Sequence, residues 1–415
     1  MYETVTNKPG FFYGWVIVAV GGTLLFLAWG FQYSFGVFFT ELCQDLNWTR
    51  TMVSGAFSLF MLWHSIIYLF AGRLNDRYGP RLTSAICIIS LSIGYALMSI
   101  ISAPWQLYIF YGIIIGTGGG FGVVPITSTV SRWFTEKRGM AIGIVLAGVG
   151  LGTLALSPFT QFLISSFDWR SSYLIIAGVL LVIGLPISRL MRLQPSDKGL
   201  LPYGKKEMLN ENKQDNLLSA IDFTLKQAIK TRAFWLIFIL YILIIFVVQM
   251  VMVHLKDYAT VTGITPMVAA TILGIVGGAS IPGRIVMGSI SDKIGRKSAF
   301  LISSILLAVM MLWLMQATDT WQFYLFSVVF GFSYGGITPL VPAIIADWFG
   351  MKNNGTILGA TMLAPGIGGA IGPLLGGYIC DKTGTYDIAF LIGAVVAFIA
   401  AACSLALKSP TARSD

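Results

Sequence analysis

Gly72-Arg73-Leu74-Asn75-Asp76-Arg77-Tyr78-Gly79-Pro80-Arg81 follows one long apolar run, and Gly288-Ser289-Ile290-Ser291-Asp292-Lys293-Ile294-Gly295-Arg296-Lys297 follows another. Gly, Asp, a cation, Gly and a terminal cation recur at the same spacing, 216 residues apart. A second echo supports the first. Arg132-Trp133-Phe134 closes one apolar run and Asp347-Trp348-Phe349 closes another, 215 residues on. One matched decapeptide is weak ground; two matched sites at nearly one offset argue for a duplicated chain.

The repeats lie between apolar runs. Of the 415 residues 56% are hydrophobic and only 11% charged, with a mean hydropathy of +0.79. A soluble domain carries roughly 25% charged residues. Runs of roughly 20 apolar residues are long enough to cross a bilayer as helix, and glycines inside them let helices pack closely in lipid. Spans are expected near residues 13–39, 51–72, 82–101, 105–131, 139–163 and 170–190, then 233–256, 266–290, 299–317, 322–346, 356–379 and 386–407. The first run has no small-residue cleavage site after it and reads as a retained helix. The expected fold is therefore an all-α membrane protein of twelve transmembrane helices in two six-helix pseudo-symmetric halves. The halves are 1–190 and 233–415, joined by a polar linker at 191–232 that holds Pro195, Asp197, Lys205, Lys206, Asn210 and Glu211. Leu217 to Ile229 reads as a short amphipathic surface helix.

Loop charge sets the orientation. The loops on the side of both termini and the linker hold 22 Lys and Arg; the other side holds Arg50, Arg170, Lys256 and Lys382. Positive-inside bias puts the termini and linker in the cytoplasm. The net charge of +9 is thus topological, and nucleic acid is not an expected partner. Cys43, Cys87, Cys380 and Cys403 show no CxxC pairing and read as incidental thiols, so no metal and no cofactor is expected. Asn47-Trp48-Thr49 matches a glycosylation triplet, which arises often by chance.

The repeated Gly-x-x-x-Asp-Arg-x-Gly loop and the six-plus-six layout resemble the major facilitator superfamily over nearly the whole chain. Arg132 to Gly152 is similar to the fifth-helix signature of the monocarboxylate transporter and oxalate:formate antiporter branch. Gln32-Tyr33-Ser34 and Gly283-Arg284 also resemble that branch. The resemblance implies carriage of small carboxylates by alternating access, with the site between the halves near the midplane.

Arg284 is the most informative residue, as the one Lys or Arg well inside an expected span. It stands eight residues before Asp292, about 12 Å along a helix at about 1.5 Å per residue, near mid-depth of a ~30 Å core. No Asp or Glu is expected that deep, so the counter-charge is read as a bound anion. A guanidinium stays charged and grips a carboxylate with two parallel hydrogen bonds. The competing role is an Arg bonded to backbone carbonyls at a break near Pro282. His254, near the end of the seventh span, is a candidate to pass a proton or contact the carboxylate; in the branch it resembles, a His in this helix belongs to the substrate pocket. Gln32, Tyr33 and Tyr334 are candidate substrate contacts, with packing as the alternative. His64 has a weaker claim. Asp76, Arg77, Arg132, Asp292, Lys293 and Asp347 are read as a charged cytoplasmic layer that holds the halves together in the outward-open state.

Two positions depart from the branch. Proton-coupled members carry an Asp where Ser280 stands, and oxalate carriers a Lys where Pro365 stands. One intramembrane cation neutralises one carboxylate, and a dianion leaves a net charge in a low-dielectric site. A monocarboxylate such as lactate, pyruvate or formate is therefore expected, with a proton as second cargo. A carboxylate exchanger is the alternative. An efflux carrier for lipophilic cations wants an acidic pocket, and a sensor or scaffold an added soluble domain. An enzyme wants a nucleophile–base or metal constellation, and none is found. The expected form is a monomer in the inner membrane.

Overall fold

The computed structural model describes residues 12–204, 223–350 and 353–409. Among these, twelve helices are long and apolar enough to cross a bilayer. They are α1 (Gly14–Asp45), α2 (Arg50–Tyr78), α3 (Pro80–Met98), α4 (Pro104–Trp133), α5 (Arg138–Phe167) and α6 (Trp169–Ser188) in the first half. The second half contains α7 (Arg232–Val261), α8 (Pro266–Ile294), α9 (Arg296–Leu314), α10 (Thr320–Phe349), α11 (Gly355–Thr383) and α12 (Asp387–Leu405). Exposed Val182, Ile302, Val395 and Phe398 belong to an apolar outer surface suited to lipid.

Several helices outrun the expected spans. The repeated loop is itself helical, so α2 reaches Tyr78 and α8 reaches Ile294, with Asp76 and Asp292 in their last turns. The chain then reverses at Gly79 and Gly295, whose φ values of 83° and 87° suit only glycine. Helix α1 continues to Asp45 past a break at Ser34. Of the amphipathic segment, residues 217–222 lie outside the described residues, as do Lys205, Lys206, Asn210 and Glu211. The rest forms one turn, Leu225–Ala228, whose first turn is capped by Thr224.

The duplication is visible in the packing. Helix α1 lies against α5 as α7 lies against α11, and α8 against α10 as α2 against α4. Two seams join the halves, α2 with α11 and α5 with α8, and the end of α1 meets α7. These seams are close backbone approaches. A Cβ on Gly36 of α1 would collide with the Met252 carbonyl oxygen of α7. Lipid offers no hydrophobic drive between helices, so such contacts carry the association.

Helices α1, α4 and α10 are interrupted within the span, at Ser34, at Phe121–Gly122 and at Thr338–Pro339. Broken helices are where transporters expose backbone and polar groups to a cavity. Tyr33 adjoins the break in α1, and Tyr334 stands about one turn before the break in α10.

Candidate functional site

Helix α8 runs unbroken through Pro282, so the alternative of a break there is not met and Arg284 projects from regular helix. It lies ten residues before the end of α8, about 15 Å at about 1.5 Å per residue. Its Nη1 donates to the Leu146 carbonyl of α5 at 2.5 Å, across the seam between halves. Its Nε is buried and has no partner. No carboxylate among the described residues pairs with it. One edge of the fork is thus held by backbone while a donor remains open.

Tyr33 and Tyr334 meet hydroxyl to hydroxyl at 3.3 Å across the halves. Arg284 lies near enough for its charge to act on Tyr33 and on Tyr241 of α7. The structure therefore gathers Arg284, Tyr33 and Tyr334 at mid-depth. From Tyr33 an aromatic path leads through Trp29 (centroids 5.6 Å) to His64 (5.3 Å). Both His64 nitrogens, the Trp29 indole N–H and both Gln32 amide atoms are buried without partners. Each is a desolvated polar group whose cost a hydrogen-bonding ligand would lift. Ser280 is different. Its Oγ donates to Gly277 of its own helix at 2.6 Å, so its hydroxyl is occupied.

His254 is placed away from this group, in a cluster near the ends of α7, α2 and α11. It is wholly buried. Its Nε2 lies 2.8 Å from the Pro373 carbonyl, and its Nδ1 lies 3.1 Å from the Tyr386 hydroxyl. Tyr386 donates to Asp257 at 2.7 Å, and Arg50 Nε reaches the same carboxylate oxygen at 2.8 Å. Burial and the Asp257 charge hold the Tyr386 phenol well above its ordinary range, so it stays protonated. Lys256 pairs with Glu41 at 3.4 Å. Asp381 accepts from the backbone N–H groups of Arg50 and Thr51, at 3.0 and 2.7 Å, at the N-terminus of α2. The ion pairs and the Asp381 contacts cross from one half to the other, so this face is closed.

The face carrying the linker is tied differently. Arg132 pairs with Asp76 at 2.6 Å, inside the first half. In the second half, Asp292 and Asp347 replace that cation–anion pair with two anions. Arg296 bridges them at 2.6 and 3.2 Å. Arg77 lies over the ring of Tyr78 (5.2 Å), and Lys293 is exposed. Among the described residues no ion pair on this face joins the halves.

Sequence reasoning puts Arg50, Lys256 and Asp257 in loops and overlooks Glu41, Asp381 and Tyr386. The signal is available in part. His254 and Asp257 stand three apart, on one helix face. Only the meeting of α7 with α2 and α11 gives that spacing its meaning. At the glycosylation triplet, the Thr49 side chain caps α2, accepting from Met52 N–H at 3.2 Å.

The family model described as Major Facilitator Superfamily matches residues 18–299 and 279–415. The rat protein monocarboxylate transporter 13 is 25% identical over 407 residues, covering 98% of this chain and 91% of its own length. The aspyridones efflux protein apdF of Emericella nidulans is 28% identical over 382 residues, covering 90% of this chain and 73% of its own. A crystal structure of a bacterial homologue of the human lysosomal transporter Spinster, inward-facing and unoccupied, superposes with a TM-score of 0.73 at 15% identity, covering 98% of this chain and all of that one. That likeness establishes the shared fold.

Proposed function

The chain belongs to the major facilitator superfamily of membrane transporters, and from that premise we propose that it carries small monocarboxylates, such as lactate or pyruvate, together with a proton. The observation that carries the reading is Arg284, a mid-span guanidinium with a buried, unpartnered Nε and no protein carboxylate beside it. An intramembrane charge costs at least a few kcal/mol unless compensated. A carboxylate that docks on Nε compensates it, and a monoanion leaves no residual charge. Tyr33 and Tyr334 supply hydroxyls beside the guanidinium, and Gln32, next to Tyr33 in sequence, an unpartnered amide. The resemblance to monocarboxylate transporters supports the same substrate class.

The transport step follows from the seams. An anion enters from the linker face, neutralises Arg284 and lies between α5 and α8. Rocking of the halves then opens the opposite face. The Asp76–Arg132 and Asp292–Arg296–Asp347 groups become the half-to-half ties once the linker face closes. Loop charge assigns that face to the cytoplasm of a cell with this chain in its inner membrane. Both sides of the site come from one chain, so a monomer suffices. A carboxylate exchanger is the second reading, favoured by the occupied Ser280 hydroxyl where proton-coupled relatives of the branch carry an acid.

The test is uptake of radiolabelled L-lactate into proteoliposomes, with and without an inward proton gradient, beside Arg284→Gln. Gradient-stimulated uptake that the substitution abolishes is expected. Uptake indifferent to the gradient but raised by internal carboxylate selects exchange. No uptake of lactate, pyruvate, formate or acetate by a folded preparation removes the monocarboxylate assignment.

A further inference from the structure

The unmet polar atoms at mid-depth outnumber what a short acid on Arg284 can satisfy. Trp29 Nε1, both amide atoms of Gln32, both ring nitrogens of His64 and Gln249 Oε1 are buried without partners. His64 is the middle residue of α2, and Trp29, Gln32 and Gln249 lie near the middles of α1 and α7, so all stand at one depth. Unmet buried polar groups are few in a native protein, and each needs a reason. Lactate or pyruvate held by Arg284 extends only two C–C bonds, about 3 Å, from its carboxylate carbon. It serves Tyr33 and Tyr334 but falls short of His64, two ring-to-ring steps of 5.6 and 5.3 Å beyond Tyr33.

From this we infer that the site has a second subsite, formed by Trp29, Gln32, His64 and Tyr68, which takes the neutral, hydrogen-bonding end of a longer, flat monocarboxylate of the hydroxyaryl class. The inference deepens the monocarboxylate reading and rests on it.

Charge, shape and hydrogen-bonding capacity set that class. Among the described residues no carboxylate pairs with Arg284, and the buried ion pairs stand at the far gate. An ammonium at the substrate's far end would meet no counter-ion here, and a second carboxylate no second cation, so that end is neutral. The walls are rings. Trp29 lies edge-on to His64 at 5.3 Å, Phe60 stacks on it with centres 5.4 Å apart and 10° between planes, and Tyr68 lies 4.2 Å away. A neutral imidazole has one N–H and one bare nitrogen, and an indole only donates. A hydroxyl matches both, accepting from Trp29 Nε1 and donating to the bare nitrogen of His64. On the α4 side a Cβ at Gly122 would lie 3.4 Å from Trp29 Nε1, so a side chain there would cover that N–H. Tyr68 ties the two subsites together. It stands near enough to Tyr241 and Tyr334 for their phenols to interact, and Tyr241 near enough to feel Arg284. Of the rings around His64 it alone is only partly buried, so its turning away from His64 uncovers the subsite to the Arg284 side.

The test is equilibrium binding of three radiolabelled probes, L-lactate, phenylacetate and 4-hydroxyphenylacetate, to the full-length protein in nanodiscs. The two aryl acids differ only in the hydroxyl. The parent is expected to bind 4-hydroxyphenylacetate about tenfold more tightly than phenylacetate, from the hydrogen bonds recovered at Trp29 and His64. That ratio is expected to fall to near one in His64→Phe and in Trp29→Phe, and Arg284→Gln is expected to abolish binding of all three probes. Equal affinity of the parent for the two aryl acids overturns the inference, as does a preference that survives in both ring variants. Lactate bound with neither aryl acid bound also overturns it and leaves the Arg284 reading standing. A hydroxyl preference that persists in Arg284→Gln refutes the Arg284 reading and leaves the subsite standing. A folded preparation that binds none of the three refutes both.

Discussion

Arg50→Ala is expected to open the face opposite the linker. The Asp257 side chain is 1% exposed and that of Arg50 is 30% exposed, with 2.8 Å between Nε and Oδ2. Removing one partner of a buried pair costs about 3–5 kcal/mol, because the other charge stays buried alone. Here Arg50 is partly solvated, and Asp257 keeps the Tyr386 hydrogen bond at 2.7 Å. Solvent screening reduces the penalty in the closed state to about 2 kcal/mol. The open state hydrates Asp257 and escapes it. At about 1.4 kcal/mol per factor of ten, the equilibrium moves roughly 30-fold towards opening. Ser58 lies two turns further into α2, sealed where its Oγ donates to the Ala370 carbonyl of α11 at 2.5 Å. In a background with the four native free cysteines replaced, Ser58→Cys is labelled by an impermeant maleimide at a rate that follows the open fraction. The rate is expected to rise roughly 30-fold in Arg50→Ala. Adding Asp257→Asn should restore most of the closure, since an amide needs no guanidinium. Labelling at the parent rate, or a double variant more open than the single one, would refute the reasoning.

Gly36→Ala drives a Cβ into the Met252 carbonyl oxygen, so it too should speed maleimide labelling in the Ser58→Cys background; an unchanged rate would show that the α1–α7 contact is not part of the seal. Tyr334→Phe removes the 3.3 Å hydroxyl contact with Tyr33, a neutral hydrogen bond of net worth about 1 kcal/mol. The apparent KM for lactate should rise about fivefold, whereas loss of all transport would contradict a supporting role. Asp168 caps α6 by accepting from Ser171 N–H at 2.8 Å, and that bond holds its carboxyl below the ordinary range. A depressed folded value contributes stability above the ordinary carboxylate range and loses it as the pH falls through the folded value. The Tm gap between parent and Asp168→Ala should therefore shrink below about pH 4, and a gap independent of pH would exclude the cap.

The fold was legible because lipid imposes a coarse grammar. Apolar runs of fixed length, loop charge and a repeated Asp loop are local signals that survive without tertiary information. The helix ends were less legible. Asp76 and Asp292 look like loop residues, yet helix continues to the glycine that reverses the chain. Arg284 was visible because a lone cation in an apolar run is conspicuous. The gate was not, because its meaning lies in partners far apart in sequence: Arg50 with Asp257, Glu41 with Lys256, His254 with Pro373 and Tyr386. The C-half partner Arg296 was hidden for another reason. The duplication aligns Arg296 with Pro80, so the repeat pattern points away from it.

The two faces are built to different strengths, and that difference orders the cycle. On the linker face, Arg132 and Asp76 are 35% and 57% exposed, and pairs so exposed are worth about 1 kcal/mol or less. They can exchange partners between halves at little cost. On the other face, Asp257 and Lys256 are each about 1% exposed, and breaking their pairs strands a buried charge. The empty protein should therefore rest closed on that face, with its site open to the linker side. Rocking brings water to the buried pairs only if something else offsets the loss. Arg284 is the unmet charge between the halves, and an anion that neutralises it removes the main reason for the linker face to stay hydrated. Binding at mid-depth and release at the gate are thereby linked through the seam of α8 with α5, across which the halves rock and Arg284 reaches the Leu146 carbonyl, without direct contact between the two sites.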